Sequence, residues 1–441
     1  MKMEVDCDMM YRGGVPMLKS FALQNAFSFA DRHELDMQAT GIKAHGYSLI
    51  TNQNNKNIPL SMEILPVMSI YGANASGKSN LIRSIEFAFR SIALRATNHF
   101  MLPFMMGNYS EDERQEIEEP FFELVFLLDK NEYTLTVRSI GLEFYYENLS
   151  YRKASRDKQK LIYCRAWNEK TEKWSLKVGS TIDADLIEEI RYVSKMERGS
   201  RNLLLSALCN RGVHDLFKSI SRWVSRFDTE QYTNRSSVTA GPLFTSNKIN
   251  PYFRNLNEPR SKEKVLRFLQ SMNPHIKGYE FAKSDLLEKH KDMLKLVFKY
   301  DIKRQGSSDS EQIDEILSDY ESRGIYSAFT LMPAILTALE NGGLIIIDEL
   351  ENSLHPLLMA KVINMFTDPD TNVGGGQLIF TTHNALIMNN KYLRQDEICF
   401  VEKDDKGKSE LYKLSDIDGV RSDLDFCKNY ILGAFGAIPK L

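Results

Sequence analysis

The chain has 441 residues, enough for one large domain with an insertion or for two to three domains of ordinary size. It carries 56 Lys and Arg against 59 Asp and Glu, which gives a formal net charge of -3. That balance argues against a protein that coats nucleic acid, although it leaves room for a local basic surface. No apolar run approaches the roughly 18–20 residues that a membrane span needs. The apolar run at 328–339 contains Pro333 and predicts a buried helix instead.

The cysteines and the N-terminus indicate the cellular compartment. Five cysteines are scattered without the CxxC spacing of a zinc site and without a disulfide framework, at Cys7, Cys164, Cys209, Cys399 and Cys427. The first residues lack the basic-then-apolar pattern of a signal peptide. We therefore expect a cytoplasmic protein without membrane contact.

Strand-like patterns dominate the N-terminal part of the chain. Residues 1–16 predict a flexible leader, and residues 17–37 alternate as two strands around a turn. A short buried strand is predicted at 64–71, followed by a glycine-rich turn and by helical periodicity over 80–94. Three more strands are expected at 121–128, 132–137 and 141–149, the first two joined by a turn at 129–131.

A basic stretch, YRKASRDKQK at 151–160, follows these strands. Such a run is usually the solvated tip of a hairpin, and the alternative is a phosphate-binding surface. Its cationic residues are Arg152, Lys153, Arg156, Lys158 and Lys160.

Helical patterns take over in the middle of the chain. Residues 181–285 are mostly helical by pattern, with a polar break at 228–250, and we interpret them as an insertion. The strand signal returns near Leu294 and is followed by a polar loop, a long helix and an apolar strand at 344–347.

A glycine-rich loop between the strand at 64–71 and the helix after it matches G-x-x-x-x-G-K-[ST] at every fixed position. Its backbone N–H groups can form a concave anion nest, and the helix N-terminus adds its dipole. The P-loop lysine would bridge the β- and γ-phosphates of ATP, and the serine after it would hold Mg²⁺. The predicted nucleotide-binding residues are Gly72, Ala73, Asn74, Ala75, Ser76, Gly77, Lys78, Ser79 and Asn80.

Two carboxylates follow the apolar strand at 344–347, namely Asp348 and Glu349. A strand without polar residues is typical of the centre of a parallel sheet. Two carboxylates at its end are costly unless a cation neutralises them, and the Mg²⁺ of the nucleotide is that cation. We expect Asp348 to hold the metal and Glu349 to act as the general base for the attacking water. His383, at the end of a later buried strand, is expected to sense the γ-phosphate.

The segments GANASGKSN, IIIDELENSLHP and FTTHN together resemble the ABC-type ATPases of the SMC and RecF kind. More narrowly, they resemble the AAA-domain ATPases of bacterial OLD-like, abortive-infection (AbiL-type) and PARIS (AriA-type) phage-defence systems. The resemblance implies an α/β ABC-type head with a P-loop core in a mixed or parallel sheet, split by a mostly helical insertion. The N-terminal half would be residues 17–180, the insertion 181–285, and the C-terminal half 286–441.

The resemblance also implies a site completed by a second copy of the chain. It assigns the D-loop to Ser353, Leu354, His355 and Pro356, and the signature to Ser322 and Gly324 at the start of a helix. In this family the signature contacts the γ-phosphate bound by the other subunit, so two ATPs are sandwiched between paired heads, as a dimer or a larger even assembly. Two features depart from the pattern: the signature is weak, and only Gln115 can be suggested for the Q-loop.

Two functions are compatible with the sequence. The first is a sensor or scaffold ATPase of an anti-phage defence system, which works with a separate toxic effector such as a nuclease and responds to a phage protein. A nuclease domain of the Toprim type within the chain is not expected, because too few residues separate Glu402 from the D-x-D at Asp423 and Asp425. The alternative is a RecF-like repair ATPase that binds DNA through the basic stretch at 151–160.

Overall fold

A computed structural model of the chain describes residues 14–93, 120–140, 143–153, 157–197, 202–225, 228–230, 244–245, 259–283, 293–303, 310–317, 322–352 and 354–439. Most of the predicted leader, residues 1–13, lies outside the described residues. At its end the Val15 side chain packs against the core, and the Val15 carbonyl accepts a hydrogen bond from the Asn57 side chain at 3.1 Å.

An antiparallel sheet of seven strands forms the first layer. Its order is β2-β1-β4-β5-β6-β7-β8, and its strands are β1 (Met17–Gln24), β2 (His33–Asp36), β4 (Phe121–Leu128), β5 (Asn131–Ile140), β6 (Glu143–Arg152), β7 (Lys160–Asn168) and β8 (Lys173–Val178). The turn between β4 and β5 places Asp129 and Lys130 at φ of 49° and 63°, the left-handed pair that matches the twist of a tight hairpin. The strands predicted for this part of the chain are confirmed.

A six-stranded sheet forms the second layer, in the order β17-β16-β3-β15-β14-β9. Its strands are β3 (Val67–Tyr71), β9 (Asp228–Glu230), β14 (Gly343–Ile347), β15 (Gly376–Thr381), β16 (Ile398–Lys403) and β17 (Ser409–Lys413). All neighbouring pairs are parallel except β16 with β17. The two strands predicted to lead into the site, β3 and β14, are buried along their whole length, as expected for strands covered on both faces.

The second sheet is sandwiched between two hydrophobic cores because its side chains alternate between its faces. Leu344 and Ile346 of β14 belong to the core shared with the antiparallel sheet, whereas Ile345 and Ile347 belong to the core on the opposite face. The helices divide in the same way. The first core takes buried residues from α1 (Lys78–Ile92), α2 (Ala184–Met196), α3 (Leu204–Arg211) and α4 (Asp215–Ser225), and the second from α5 (Pro259–Met272), α6 (Arg323–Asn341), α7 (Pro356–Thr367) and α8 (Phe426–Ile431).

The middle of the chain contains strands as well as helices. Within 181–285, β9 returns to the edge of the second sheet, where it pairs in parallel with β14. A third sheet is built on β12 (Met293–Lys303), which pairs with β10 (Phe244–Thr245), β11 (Ile276–Lys283) and β13 (Ser310–Leu317).

The prediction of a polar loop after the strand near Leu294 is wrong for Ser310–Leu317, which forms strand β13. Pairing with β12 satisfies its backbone hydrogen bonds, and an edge strand tolerates the polar residues that suggested a loop. The predicted α/β class is confirmed, and the apolar run at 328–339 lies in helix α6 as expected. Within the described residues, no helix combines the length and apolar character needed to cross a membrane.

Candidate functional site

The glycine-rich loop at 72–77 lies where the sequence places it, between β3 and α1. Gly72 and Gly77 have φ of 155° and 117°, and Ala75 has φ of 61°. These left-handed conformations are what turns successive backbone N–H groups toward one point. Asn74 and Ala75 are exposed at the mouth of the loop. The loop therefore has the form of an anion-binding nest at a helix N-terminus.

Lys78 is the first residue of α1, and its side chain reaches back over the loop. Its Nζ donates to the carbonyl oxygens of Gly72 and Ala73, both at 2.9 Å. Burial lowers the pKa of the Lys78 ammonium, while the nearby Asp348, Glu351 and Glu349 carboxylates oppose this effect. Lys78 thus lies within electrostatic reach of Asp348 and Glu349, the two carboxylates predicted from the sequence.

Thr381 holds the two predicted carboxylate residues, Asp348 and Glu349, in place. Its Oγ1 donates to Asp348 Oδ1 at 2.5 Å and accepts the Glu349 backbone N–H at 2.7 Å. Glu349 adopts φ of 55°, a left-handed conformation that is uncommon for a residue with a side chain. Thr381 was not identified from the sequence as functional, although it is the last residue of β15 and precedes His383 closely in the chain.

His383 lies beside a further carboxylate that the motifs did not single out, Glu351. The His383 backbone N–H donates to Glu351 Oε1 at 2.5 Å. Glu351 Oε2 is buried and has no hydrogen-bond partner among the described residues. Partial burial lowers the pKa of the His383 imidazole, and the positive charge of Lys78 lowers it further. Both effects favour the neutral form of the ring, and the Glu351, Glu349 and Asp348 carboxylates oppose them.

The described residues that the resemblance assigns to the signature and the D-loop lie at helix N-termini. Ser322 is exposed and caps α6, with its Oγ accepting the Ile325 N–H at 3.3 Å, and Gly324 lies in the first turn of that helix. His355 caps α7 through an Nδ1 contact of 3.3 Å with the Leu357 N–H, and Pro356 is the first helical residue. Ser353 and the suggested Q-loop residue Gln115 lie outside the described residues.

Oxygen ligands for Mg²⁺ are present at the site. The predicted donors are the Ser79 hydroxyl, directly after the P-loop lysine, and the Asp348 carboxylate. Hydroxyl and carboxylate oxygens are the protein ligands that Mg²⁺ takes when phosphates and water complete its shell. These residues fit the ion. The described residues contain no group of three or more His, Cys, Asp or Glu arranged to hold a metal by themselves.

The basic stretch at 151–160 spans the end of β6 and the start of β7, which are antiparallel neighbours. Arg152 forms an ion pair with Glu132, and Lys19 binds the same carboxylate at 2.7 Å. Lys153, Lys158 and Lys160 are exposed, while Arg156 lies outside the described residues. The described part of the stretch is thus a solvent-facing hairpin end whose first arginine already has a carboxylate partner.

The residues weighed for a Toprim site have other contacts. Glu402 lies on β16 and accepts the Ala437 N–H at 3.1 Å. Asp425 caps α8 by accepting the Lys428 N–H at 2.9 Å, and Asp423 pairs with Arg421 at 3.3 Å.

Residues 67–183 and 302–389 match a protein family described as "AAA domain, putative AbiEii toxin, Type IV TA system". The matched ranges contain the P-loop, the two carboxylates after β14 and His383. No curated protein matches the chain.

Several solved structures align with nearly the whole chain. An SMC head bound to the C-winged helix domain of ScpA aligns at 13% identity over 90% of this chain and 97% of its own, with a TM-score of 0.44. The SMC head domain from Thermotoga maritima aligns at 14% identity over 90% and 98%, with a TM-score of 0.38. An Smc head with an extended coiled coil, bound to the C-terminal domain of ScpA from Pyrococcus furiosus, aligns at 10% identity over 95% and 98%, with a TM-score of 0.37.

Proposed function

We propose that this AAA-domain chain binds MgATP at the P-loop and hydrolyses it, and that hydrolysis requires a second copy of the chain. The observation that carries the proposal is the convergence of three strand ends on Lys78. The P-loop follows β3, Asp348 and Glu349 follow β14, and Thr381 at the end of β15 binds both of them. Carboxyl ends of neighbouring parallel strands are where nucleotides bind in α/β sheets.

The residues divide the reaction between them. The backbone N–H groups of 72–77 and the Lys78 ammonium would bind the phosphates. Ser79 and Asp348 would hold Mg²⁺, which would neutralise charge on the phosphates. Glu349 accepts the proton of the attacking water, and His383 contacts the γ-phosphate. General base catalysis of this kind contributes roughly 10²–10⁴-fold to the rate.

Pairing of two heads would complete each site. Ser322 and Gly324 are at the N-terminus of α6, where backbone N–H groups and the helix dipole favour an anion. Ser322 is exposed and therefore accessible to the γ-phosphate held by another copy. An isologous arrangement places two ATPs between two identical surfaces, so the complex is closed by two-fold symmetry.

We further propose that the chain is the sensor or scaffold subunit of an anti-phage defence system that acts through a separate toxic effector, such as a nuclease. The support is the family description, which names a toxin of a toxin–antitoxin system. In this role ATP binding holds the effector in an inactive assembly, and a phage protein triggers its release.

The test is the mass in solution of the Glu349→Gln variant with and without MgATP, alone and co-expressed with the products of the neighbouring genes. The substitution removes the base and keeps the metal ligands, so the ATP-bound pair should accumulate. We expect an ATP-dependent dimer or larger even assembly that is lost in Glu349→Gln/Lys78→Ala. A protein that binds ATP and stays monomeric would rule out the paired site.

Effector capture is a separate result of the same experiment. A neighbour that co-purifies and is toxic when expressed alone supports the defence role. Binding of duplex DNA that depends steeply on salt concentration would support the repair role instead. In that case, reversing the charges of Lys153, Lys158 and Lys160 should abolish the binding.

A further inference from the structure

The P-loop rests on a hairpin from the far end of the chain, β16–β17. A Cβ atom on Gly72 would lie 2.2 Å from the Val401 carbonyl oxygen of β16. A Cβ on Gly77 would lie 2.3 Å from Ser409 Oγ of β17 and 2.8 Å from Ser28 Oγ. Real Cβ atoms do not approach other atoms so closely, so both fixed glycines are required by this contact as well as by their φ angles.

Ser409 joins the hairpin to the P-loop through a chain of hydrogen bonds. Ser409 Oγ lies 2.6 Å from the Ser76 carbonyl oxygen and 2.8 Å from Ser28 Oγ, and Asn80 Nδ2 lies 2.8 Å from Ser28 Oγ. A hydroxyl has one hydrogen to donate. If each hydrogen is donated once, the Asn80 amide donates to the Ser28 hydroxyl, the Ser28 hydroxyl donates to Ser409, and the Ser409 hydroxyl donates to the Ser76 carbonyl.

Backbone pairing and burial fix the position of this chain of hydrogen bonds. The Ser409 N–H donates to the Ser28 carbonyl at 2.7 Å. Ser409 is fully buried, and Ser28 is 7% exposed. Little solvent reaches the two hydroxyls, so the hydrogen bonds between them are not readily replaced by bonds to water.

The carbonyl that Ser409 binds belongs to the peptide that also carries the Gly77 N–H. A trans peptide is planar, and its C=O and N–H point in opposite directions. Holding the Ser76 oxygen down onto Ser409 therefore turns the Gly77 N–H up, toward the side of the loop where the phosphates bind.

We propose that Ser409, supported by Ser28, is a positioning residue that orients the 76–77 peptide for phosphate binding. This inference rests on the proposed ATP function and names two residues outside the matched ranges 67–183 and 302–389. Ser409 does not touch the nucleotide; it acts through the P-loop backbone. The last hairpin of the chain is thereby part of the nucleotide site.

The first measurement compares Ser409→Ala with Ser150→Ala for MgATP affinity and for thermal stability without nucleotide. Ser150 is a matched control on β6, because it is 6% exposed and its Oγ accepts the Gln159 side-chain amide at 2.7 Å. Loss of one hydrogen bond corresponds to about a threefold to tenfold change in an equilibrium constant. We expect the dissociation constant of MgATP to rise by about that factor in Ser409→Ala and to stay unchanged in Ser150→Ala. Equal affinities in the two variants would overturn the proposal.

The second measurement is the cycle of Ser409→Ala, Ser28→Ala and the double variant. Because the hydroxyls act in series, the double variant should bind MgATP no worse than the weaker single variant. If the two substitutions changed the dissociation constant by factors that multiply in the double variant, Ser409 and Ser28 would act as two independent packing contacts. That result would contradict a single chain of hydrogen bonds. Wild-type protein and Lys78→Ala are measured in the same experiments. Failure of the wild-type protein to bind MgATP would overturn the proposed function itself. Binding by the wild type, with the same affinity in Ser409→Ala, would overturn only the positioning role of Ser409.

Discussion

Two groups of carboxylates in this molecule are used in opposite ways. In the antiparallel layer, Glu147 is fully buried and both of its oxygens are bonded. It accepts from Tyr163 Oη at 2.6 Å and from Arg165 Nε, the Leu204 N–H and the Leu205 N–H, each at 2.8 Å. The proposed nucleotide site, formed by the P-loop and by the residues that follow β14 and β15, is called the nucleotide edge. There Asp348 and Glu349 are only partly buried, and the neighbouring Glu351 leaves a buried oxygen without a partner among the described residues.

The difference separates a structural charge from the carboxylates that we propose act on the nucleotide. Glu147 joins β6, β7 and the N-terminus of α3, and with every bond made it has no capacity left for a ligand. Near Lys78, Thr381 binds Asp348 Oδ1 and the Glu349 backbone N–H, and Glu351 keeps one buried oxygen without a partner among the described residues. Complete hydrogen bonding of both oxygens thus marks Glu147 as a structural carboxylate.

The strongest test of this contrast is Glu349→Gln at the nucleotide edge. Turnover of ATP should fall by roughly 10²–10⁴-fold because the proposed general base is lost, while the free energy of unfolding stays close to that of the wild type. Steady-state phosphate release and denaturant titration measure the two quantities. A large loss of stability with little change in turnover would assign Glu349 to the structural group.

The converse test is Glu147→Gln in the antiparallel layer. Removing one partner of a buried ion pair leaves the Arg165 charge uncompensated and is expected to cost about 3–5 kcal/mol of stability. MgATP affinity of the folded protein should be unchanged. Urea unfolding checks the first expectation, and adding Arg165→Met to the same chain should restore part of the loss. A variant as stable as the wild type would show that Glu147 does not fix the helix on the sheet.

Candidate residues at the nucleotide edge could be proposed from sequence because their motifs are local. The P-loop is one contiguous motif, and Asp348 with Glu349 ends an apolar run, so the sequence alone singles out Lys78, Asp348, Glu349 and His383 as candidates. Thr381 is not singled out, because its role depends on β15 lying beside β14. Ser409 was further out of reach, because only the folded hairpin brings it under a loop more than 300 residues earlier in the chain.

The antiparallel layer shows the same limit from the other side. Its strands were predictable from alternation and from the tight turn at Asp129 and Lys130. The hydrogen bonds from α3 to Glu147 were not predictable, because they join residues 57 and 58 positions apart in the chain. The strand β13 was mistaken for a loop because edge pairing, which the sequence does not display, stabilises a polar segment.

Thr381→Val gives a smaller effect that tests orientation at the nucleotide edge. The substitution keeps the shape and removes the hydroxyl that binds Asp348 and the Glu349 N–H. A hydrogen bond to a charged group contributes about 1.5–3 kcal/mol, so turnover should fall by about tenfold or more. Thr337→Val is the matched control, because the Thr337 hydroxyl donates to the Pro333 carbonyl at 2.8 Å within α6. Equal turnover in the two variants would remove Thr381 from the site.

The smallest effect concerns a carboxyl between the two extremes, Glu397. One of its oxygens accepts the Arg394 N–H at 2.9 Å, and the other is buried without a partner among the described residues. Burial raises the pKa of Glu397 from 4.5 to about 8. The folded state then holds a proton that the unfolded chain has already released. Its contribution to stability is complete below about pH 4.5 and is lost as the pH rises toward 8.

Glu397→Gln should remove this pH dependence. Between pH 6.5 and 7.5 the wild type should lose up to about 1.4 kcal/mol of stability that the variant keeps, since one proton corresponds to that amount per pH unit. Urea unfolding at the two pH values measures the difference. If the stability of the two proteins depended on pH in the same way, Glu397 would be ionised in the folded state. A single backbone hydrogen bond would then stabilise a buried carboxylate as well as the complete set of bonds around Glu147 does.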